Sequence, residues 1–255
     1  MQAFSLLIKT SQDAVFISNK FVKLGQNPLS AIMSIRDERK QQSRQALLDA
    51  ALSLTSSGLS FSSISLREIT RNVGLVPAAF YRHFQDKDQL GLELVDRVAL
   101  QLKRVLHQLK LATLFQPDAE MDVHLQQFLL SVQQHPEWWI FFSAERWGGS
   151  AVLRQAIARE VDALIEDLTQ DLTRIKQPQH LYSTQDLHNL ASILINQSLN
   201  WAMSWINLTR QGQTETDSIL QLQFKQQTQG QLQLLFGGIA HIDAISIAQI
   251  LDHQT

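Results

Sequence analysis

The chain has 255 residues, 44% hydrophobic and 18% charged, with a formal net charge of −2. With 10 Gly, 5 Pro and abundant Leu, Ala and Gln, it fits an all-helical soluble fold better than a many-turned β protein. There are 0 Cys, which excludes a disulfide framework and any thiolate metal site, and no run of about 18 apolar residues offers a transmembrane helix.

Charge is unevenly spread. Residues 33–110 carry 12 Lys+Arg against 8 Asp+Glu, whereas residues 111–255 carry 7 against 15. A mildly basic segment followed by an acidic one suits a chain of which one part meets an anionic partner. Chance clustering explains the same asymmetry equally well.

Residues 1–32 have short apolar patches without a sustained period. "AFSLLI" is too short for a signal-peptide core and lacks a basic leader. The segment reads either as a loose N-terminal extension or as residues preceding a true start at Met33. A cytoplasmic location is expected.

From there helices follow one another. The first is expected over about Arg36–Ser56, with Leu47, Ala50, Ala51 and Leu54 on one stripe and Gly58 after it. "SLRE" places Ser65 at an N-cap with Glu68 three residues on, a capping box, and Gly74 ends that second helix. Pro77 suits the first turn of a third helix of about eight residues, and Asp86 caps a long fourth one carrying Leu90, Leu94, Val98, Leu102, Val105 and Leu109.

"LATLFQPDAE" (111–120) is the expected domain break. A fifth helix is expected over about Ala119–Gln134, and Pro136 opens a sixth, "EWWIFFSAERW", ended by Gly148 and Gly149. The seventh has the clearest stripe: Leu153, Ile157, Val161, Leu164, Leu168, Leu172 and Ile175. After the loop "KQPQHLYS" come an eighth helix over about Thr184–Leu208 and a ninth over about Thr216–Phe236, although "LQLQF" alternates like a strand and Gly230 interrupts the pattern. The expected division is 1–32 extension, 33–85 helix-turn-helix domain, and 86–255 helical domain including the fourth helix.

Two short helices around Gly74 make a helix-turn-helix whose second helix enters the major groove of DNA. On that helix Phe80 and Phe84 share a face and anchor it to the core. Pro77, Ala78 and Ala79 strip its start of bulk, so it can approach base edges and thymine methyls. Tyr81 and His83 can each donate to a phosphate, and Lys87 adds charge at the next helix start. The rival reading is an amphipathic surface helix with Tyr81 and His83 packed on neighbours.

The stretch "SLREITRNVGLVPAAFYRHFQDKDQL" resembles the DNA-binding region of the TetR family of bacterial repressors. The resemblance implies a three-helix N-terminal module, a linking fourth helix and a helical C-terminal ligand-binding and dimerisation domain. It implies base contacts by Pro77, Ala78, Ala79 and Tyr81, and phosphate contacts by Ser65, Tyr81, His83 and Lys87. Arg82 falls at a variable position, for base or phosphate. Ala79 stands where many members carry Ser or Thr, which removes a hydroxyl contact. Arg36, Arg39, Lys40 and Arg44 read either as backbone contacts from an N-terminal arm or as a solvated basic helix end.

Further along, "HPEWWIFFSAERWGGSAVLRQAIAREVDALIEDL" is similar to the FabR and DesT repressors of unsaturated fatty-acid synthesis, with "AERWGG" where that group favours a more basic R-E-R. This implies control of fatty-acid desaturation or lipid genes, with long-chain acyl-CoA or acyl carrier protein thioester as effector and no cofactor. The candidate ligand-binding residues are Phe128, Trp138, Phe141, Phe142, Trp147, Trp201 and Trp205; the alternative is that most of these aromatics are core or dimer contacts. Asn196 and Asn200 either orient a ligand or satisfy one another across a dimer.

The expected partners are palindromic double-stranded operator DNA, a hydrophobic small molecule and a second copy of the chain, with no membrane. An enzyme is not expected: there is no Gly-rich phosphate loop, no H-E-x-x-H and no metal-ligand spacing among the 8 His, and "GGSAV" lacks the final Gly of a nucleophile elbow. Two alternatives are a repressor of this fold answering a drug or aromatic compound, and an all-helical protein–protein adaptor.

Overall fold

The computed structural model describes residues 28–108, 121–174, 183–210 and 215–252. Among them every regular element is helical: α1 (Pro28–Ser56), α2 (Leu66–Asn72), α3 (Pro77–Phe80), α4 (Lys87–Gln108), α5 (Met121–Gln134), α6 (Pro136–Glu145), α7 (Ala151–Arg174), α8 (Thr184–Arg210) and α9 (Glu215–Asp252). The all-α fold class is therefore as expected, with an N-terminal helix-turn-helix domain and a C-terminal helical domain. Residues 1–27 and the expected break at 111–120 lie outside the described residues, as do Leu109, Ile175 and most of "KQPQHLYS".

α1 starts earlier than expected. Pro28 opens it, and nothing between Pro28 and Arg36 is a helix breaker. Of its expected stripe Leu47, Ala50 and Ala51 are buried and Leu54 is half-buried. α2 begins at the expected capping box: the Glu68 amide donates to Ser65 Oγ at 3.2 Å and the Ser65 amide donates to Glu68 Oε2 at 2.7 Å. Those bonds from the Ser65 backbone and hydroxyl hold the Glu68 carboxyl below its ordinary range. Gly74 stops α2 at φ +70°, a conformation that costs glycine little, while the Leu75 amide reaches back to Thr70 O at 2.8 Å.

α3 is shorter than the eight residues expected. Its α-helical part is Pro77–Phe80, and the chain then tightens into turns, with Arg82 N donating to Ala79 O and His83 N to Phe80 O. Asp86 caps α4 as expected, its Oδ1 accepting from Gln89 N at 2.7 Å.

In the C-terminal part, α6 opens at Pro136 and stops at Glu145, three residues before Gly148. α7 buries Leu153, Ile157, Val161, Leu164, Leu168 and Leu172, the expected stripe as far as it is described. α9 continues past Phe236 to Asp252, and Gly230 does not interrupt it. Thr228 and Leu232, four residues apart, are buried, and Gln231 Oε1 accepts from Trp201 Nε1 at 2.8 Å. Packing on α8 thus overrides the strand-like alternation. α4 runs through the middle, packed against α1, α5, α6 and α7, so one helix touches both the helix-turn-helix and the C-terminal core.

Candidate nucleic-acid interface

Phe80 is 0% exposed and Phe84 2%, their ring centroids 5.4 Å apart, so both grip the protein beneath. The other side of the same stretch faces out: Pro77, Ala78, Tyr81 and Arg82 are exposed, and Ala79 is half-buried. Tyr81 is 61% exposed, its ring edge-on to Phe80. Val76, 66% exposed just before Pro77, joins this face, although no polar group in the sequence marks it.

The polar candidates divide. His83 is half-buried, and its Nδ1 has no protein partner. Burial first, and then the charges of Arg44, Lys40 and Arg82, push its imidazole below the usual histidine range. Ser65 is exposed, but its hydroxyl donates to Glu68 Oε2 at 2.7 Å as well as accepting the Glu68 amide.

Lys87 is turned inward. Its ammonium donates to Phe61 O, Ser62 O and Ile64 O at 3.0, 2.9 and 3.0 Å, which uses all three of its donors. A lysine so engaged clamps the α1–α2 loop. Arg44, the last of the basic residues on α1, is also engaged by the protein. It pairs with Glu93 of α4, donates to the His83 carbonyl, and lies 4.2 Å from the Phe84 ring centroid. A guanidinium fork suits such a three-way junction. Lys40 and Arg39 are exposed on α1 beyond it, and the surroundings of Arg36 lie outside the described residues.

The ligand candidates scatter. Phe128 and Trp201 line one small cavity with Leu106, Leu125, Leu194 and Leu232, with about 30 Å³ of space. Phe141 and Phe142 are fully buried core. Trp205 is buried against Phe224, and Trp138 stacks on His135 at 3.9 Å. Trp147 is 80% exposed, which removes it from any internal pocket. Asn196 donates to Ser192 O on its own helix, and Asn200 is exposed. Glu145 and Arg146, adjacent in sequence, part company: Glu145 is buried on the Phe61 amide, and Arg146 lies over the Trp147 ring. A larger cleft of about 250 Å³, which the sequence did not reveal, lies between α4 and α7 beside Lys103, His107, Asp167, Asp171 and Arg174.

An anchored short helix with one bare face, set after a glycine turn, defines a helix-turn-helix DNA-binding module. Residues 47–94 match the family of bacterial regulatory proteins, tetR family. The fold is similar to two solved FadR structures, the first a fatty acid degradation regulator and the second a transcriptional regulator. One is from Bacillus halodurans (12% identity, TM-score 0.52, covering 76% of this chain and 94% of that one). The other is from Bacillus subtilis in complex with stearoyl-CoA (15% identity, TM-score 0.52, 76% and 98%). NalD, the secondary repressor of the MexAB-OprM multidrug efflux pump in Pseudomonas aeruginosa, is also similar (21% identity, TM-score 0.48, 80% and 96%). The family match thus covers α2, α3 and the flanking parts of α1 and α4, the helix-turn-helix region. Among the described residues no helix is long and apolar enough to cross a membrane, and no group of three or more His, Asp or Glu is placed to hold a metal ion.

Proposed function

We propose that the protein is a homodimeric repressor that binds a palindromic operator through α3 and the turns after it. The observation that carries this reading is the split of one short segment into buried Phe80 and Phe84 and exposed Pro77, Ala78, Tyr81 and Arg82. Tyr81, Arg82 and His83 supply the phosphate and base contacts, and the half-sites lie about 34–36 Å apart. Duplexes selected from a random pool, measured at two salt concentrations, test it. A repressor loses affinity steeply as salt rises; salt-independent or absent binding rejects the reading.

The effector is a long-chain acyl thioester acting on lipid genes. The apolar helix-lined cavity at Phe128 and Trp201 supports this, as does the "HPEWWIFFSAERWGGS" pattern. The cavity is far below the roughly 300–1,000 Å³ of small-molecule sites, so uptake requires α4, α5, α8 and α9 to move apart. The cleft between α4 and α7 adjoins it through Leu106, and the acyl chain enters from that side. Comparing operator affinity with oleoyl-CoA, stearoyl-CoA and a planar aromatic drug tests the assignment. A response to the drug alone overturns it.

A further inference from the structure

The α1–α2 loop is held from three helices outside the helix-turn-helix. Phe61, at its centre, is completely buried. A Cβ built on Gly91 of α4 would lie 2.7 Å from Phe61 Cζ and 2.8 Å from Leu153 Cδ1 of α7. The Phe61 ring, the bare α4 backbone and α7 therefore meet at one point that only glycine permits. The Phe61 amide donates to Glu145 Oε1 of α6 at 2.7 Å, and the Lys87 ammonium holds the Phe61 carbonyl. Both polar groups of this residue's backbone are thus tied to charged side chains of the C-terminal part.

Glu145 is 2% exposed, and its Oε2 has no hydrogen-bond partner. A buried carboxylate is costly, and the Phe61 amide offsets part of that cost. If α6 shifts relative to the loop, Glu145 loses this bond and stays buried. The contact therefore favours two discrete arrangements, joined or apart, over a continuous slide. α6 also carries Phe141 and Phe142 in the C-terminal core, so its position follows that core.

We propose that Glu145 is a positioning residue for operator binding: through the Phe61 amide it fixes the angle of the DNA-reading head on the C-terminal domain. This rests on the DNA-binding reading above and adds a route from α6 to the head beside the one along α4. In a dimer, the angle of each head sets the spacing of half-sites that the pair accepts.

The test uses the full chain with Glu145→Leu, which removes the acceptor without leaving a buried charge, and Glu145→Gln, which keeps an acceptor. The probe is the duplex that the wild type selects from a random pool, with and without one base pair inserted between half-sites. Expected for Glu145→Leu are faster hydrogen exchange at the Phe61 amide, unchanged exchange in α7 and α8, and discrimination against the inserted base pair reduced on the order of tenfold, a common size for coupling between sites. Glu145→Gln restores discrimination. Discrimination unchanged in Glu145→Leu, or Phe61 exchange unchanged, overturns the proposal. Should Glu145→Leu fail to fold, Gly91→Ala, which presses on the same joint, must reduce discrimination instead; full discrimination there also overturns it. A wild type that selects no duplex fails at an earlier step and rejects the DNA-binding reading, whereas the exchange result reports on the joint alone.

Discussion

Phe80 and Tyr81 are neighbours in sequence, with ring centroids 5.6 Å apart and planes crossing at 84°, yet one is 0% exposed and the other 61%. The edge-to-face contact lets the buried ring brace the exposed one. Tyr81 is thereby presented outward from a fixed base, which reduces the ordering that a contact with DNA would require.

Replacing Tyr81 by Ala therefore removes a presented group and little packing. Operator affinity is expected to fall by about 1–3 kcal/mol. The thermal unfolding midpoint should move by no more than a surface substitution moves it. Gel-shift titration and a circular-dichroism melt measure the two quantities.

Phe80→Ala should do the reverse in order of cause. Emptying a fully buried aromatic site costs about 3–5 kcal/mol of stability. Chemical denaturation monitors this directly. DNA binding is lost with the fold of the module, and recovers at low temperature as far as the folded population does.

Lys87→Met distinguishes a loop clamp from a phosphate contact. Three carbonyls lose their donor, so stability should drop by about 1–3 kcal/mol. The slope of log affinity against log salt should stay as in the wild type, since a phosphate-contacting lysine would lower it by about one. A slope reduced by that amount would return Lys87 to the interface.

His83 gives a pH signature. Its folded value lies below the ordinary histidine value of about 6.5, so the unfolded chain binds more protons. The associated stability is full above that ordinary value and is lost as pH falls through the depressed one. Contact with a phosphate would pull the value up again. Operator affinity should then weaken as pH rises from the depressed folded value through the value in the complex. Titration of affinity between about pH 5 and 8, repeated with His83→Gln, should show this slope vanish in the variant.

Local signals were well represented in the sequence. Ser65 and Glu68 cap α2, Gly74 stops it, and Pro77 opens α3, because each acts within one turn of backbone. The outward and inward sides of α3 followed from four-residue spacing. Long side chains were harder to place. Lys87 and Arg44 read as basic residues beside a DNA-facing helix, and both instead bond to groups brought close only by the tertiary fold. Aromatic residues carried the same ambiguity: Trp147 sits in an apolar-looking run and stands in solvent, while Trp139 two turns earlier is completely buried. α9 runs to Asp252, past the expected end at Phe236.

The smallness of the space between Phe128 and Trp201 bears on kinetics. On the effector reading proposed above, a guest that finds no vacancy would wait for the helices to breathe, so its capture would be set by the frequency of that breathing and would level off at high guest concentration. Once closed around an alkyl tail, the same walls would release it slowly, giving the switch a memory longer than its encounter time.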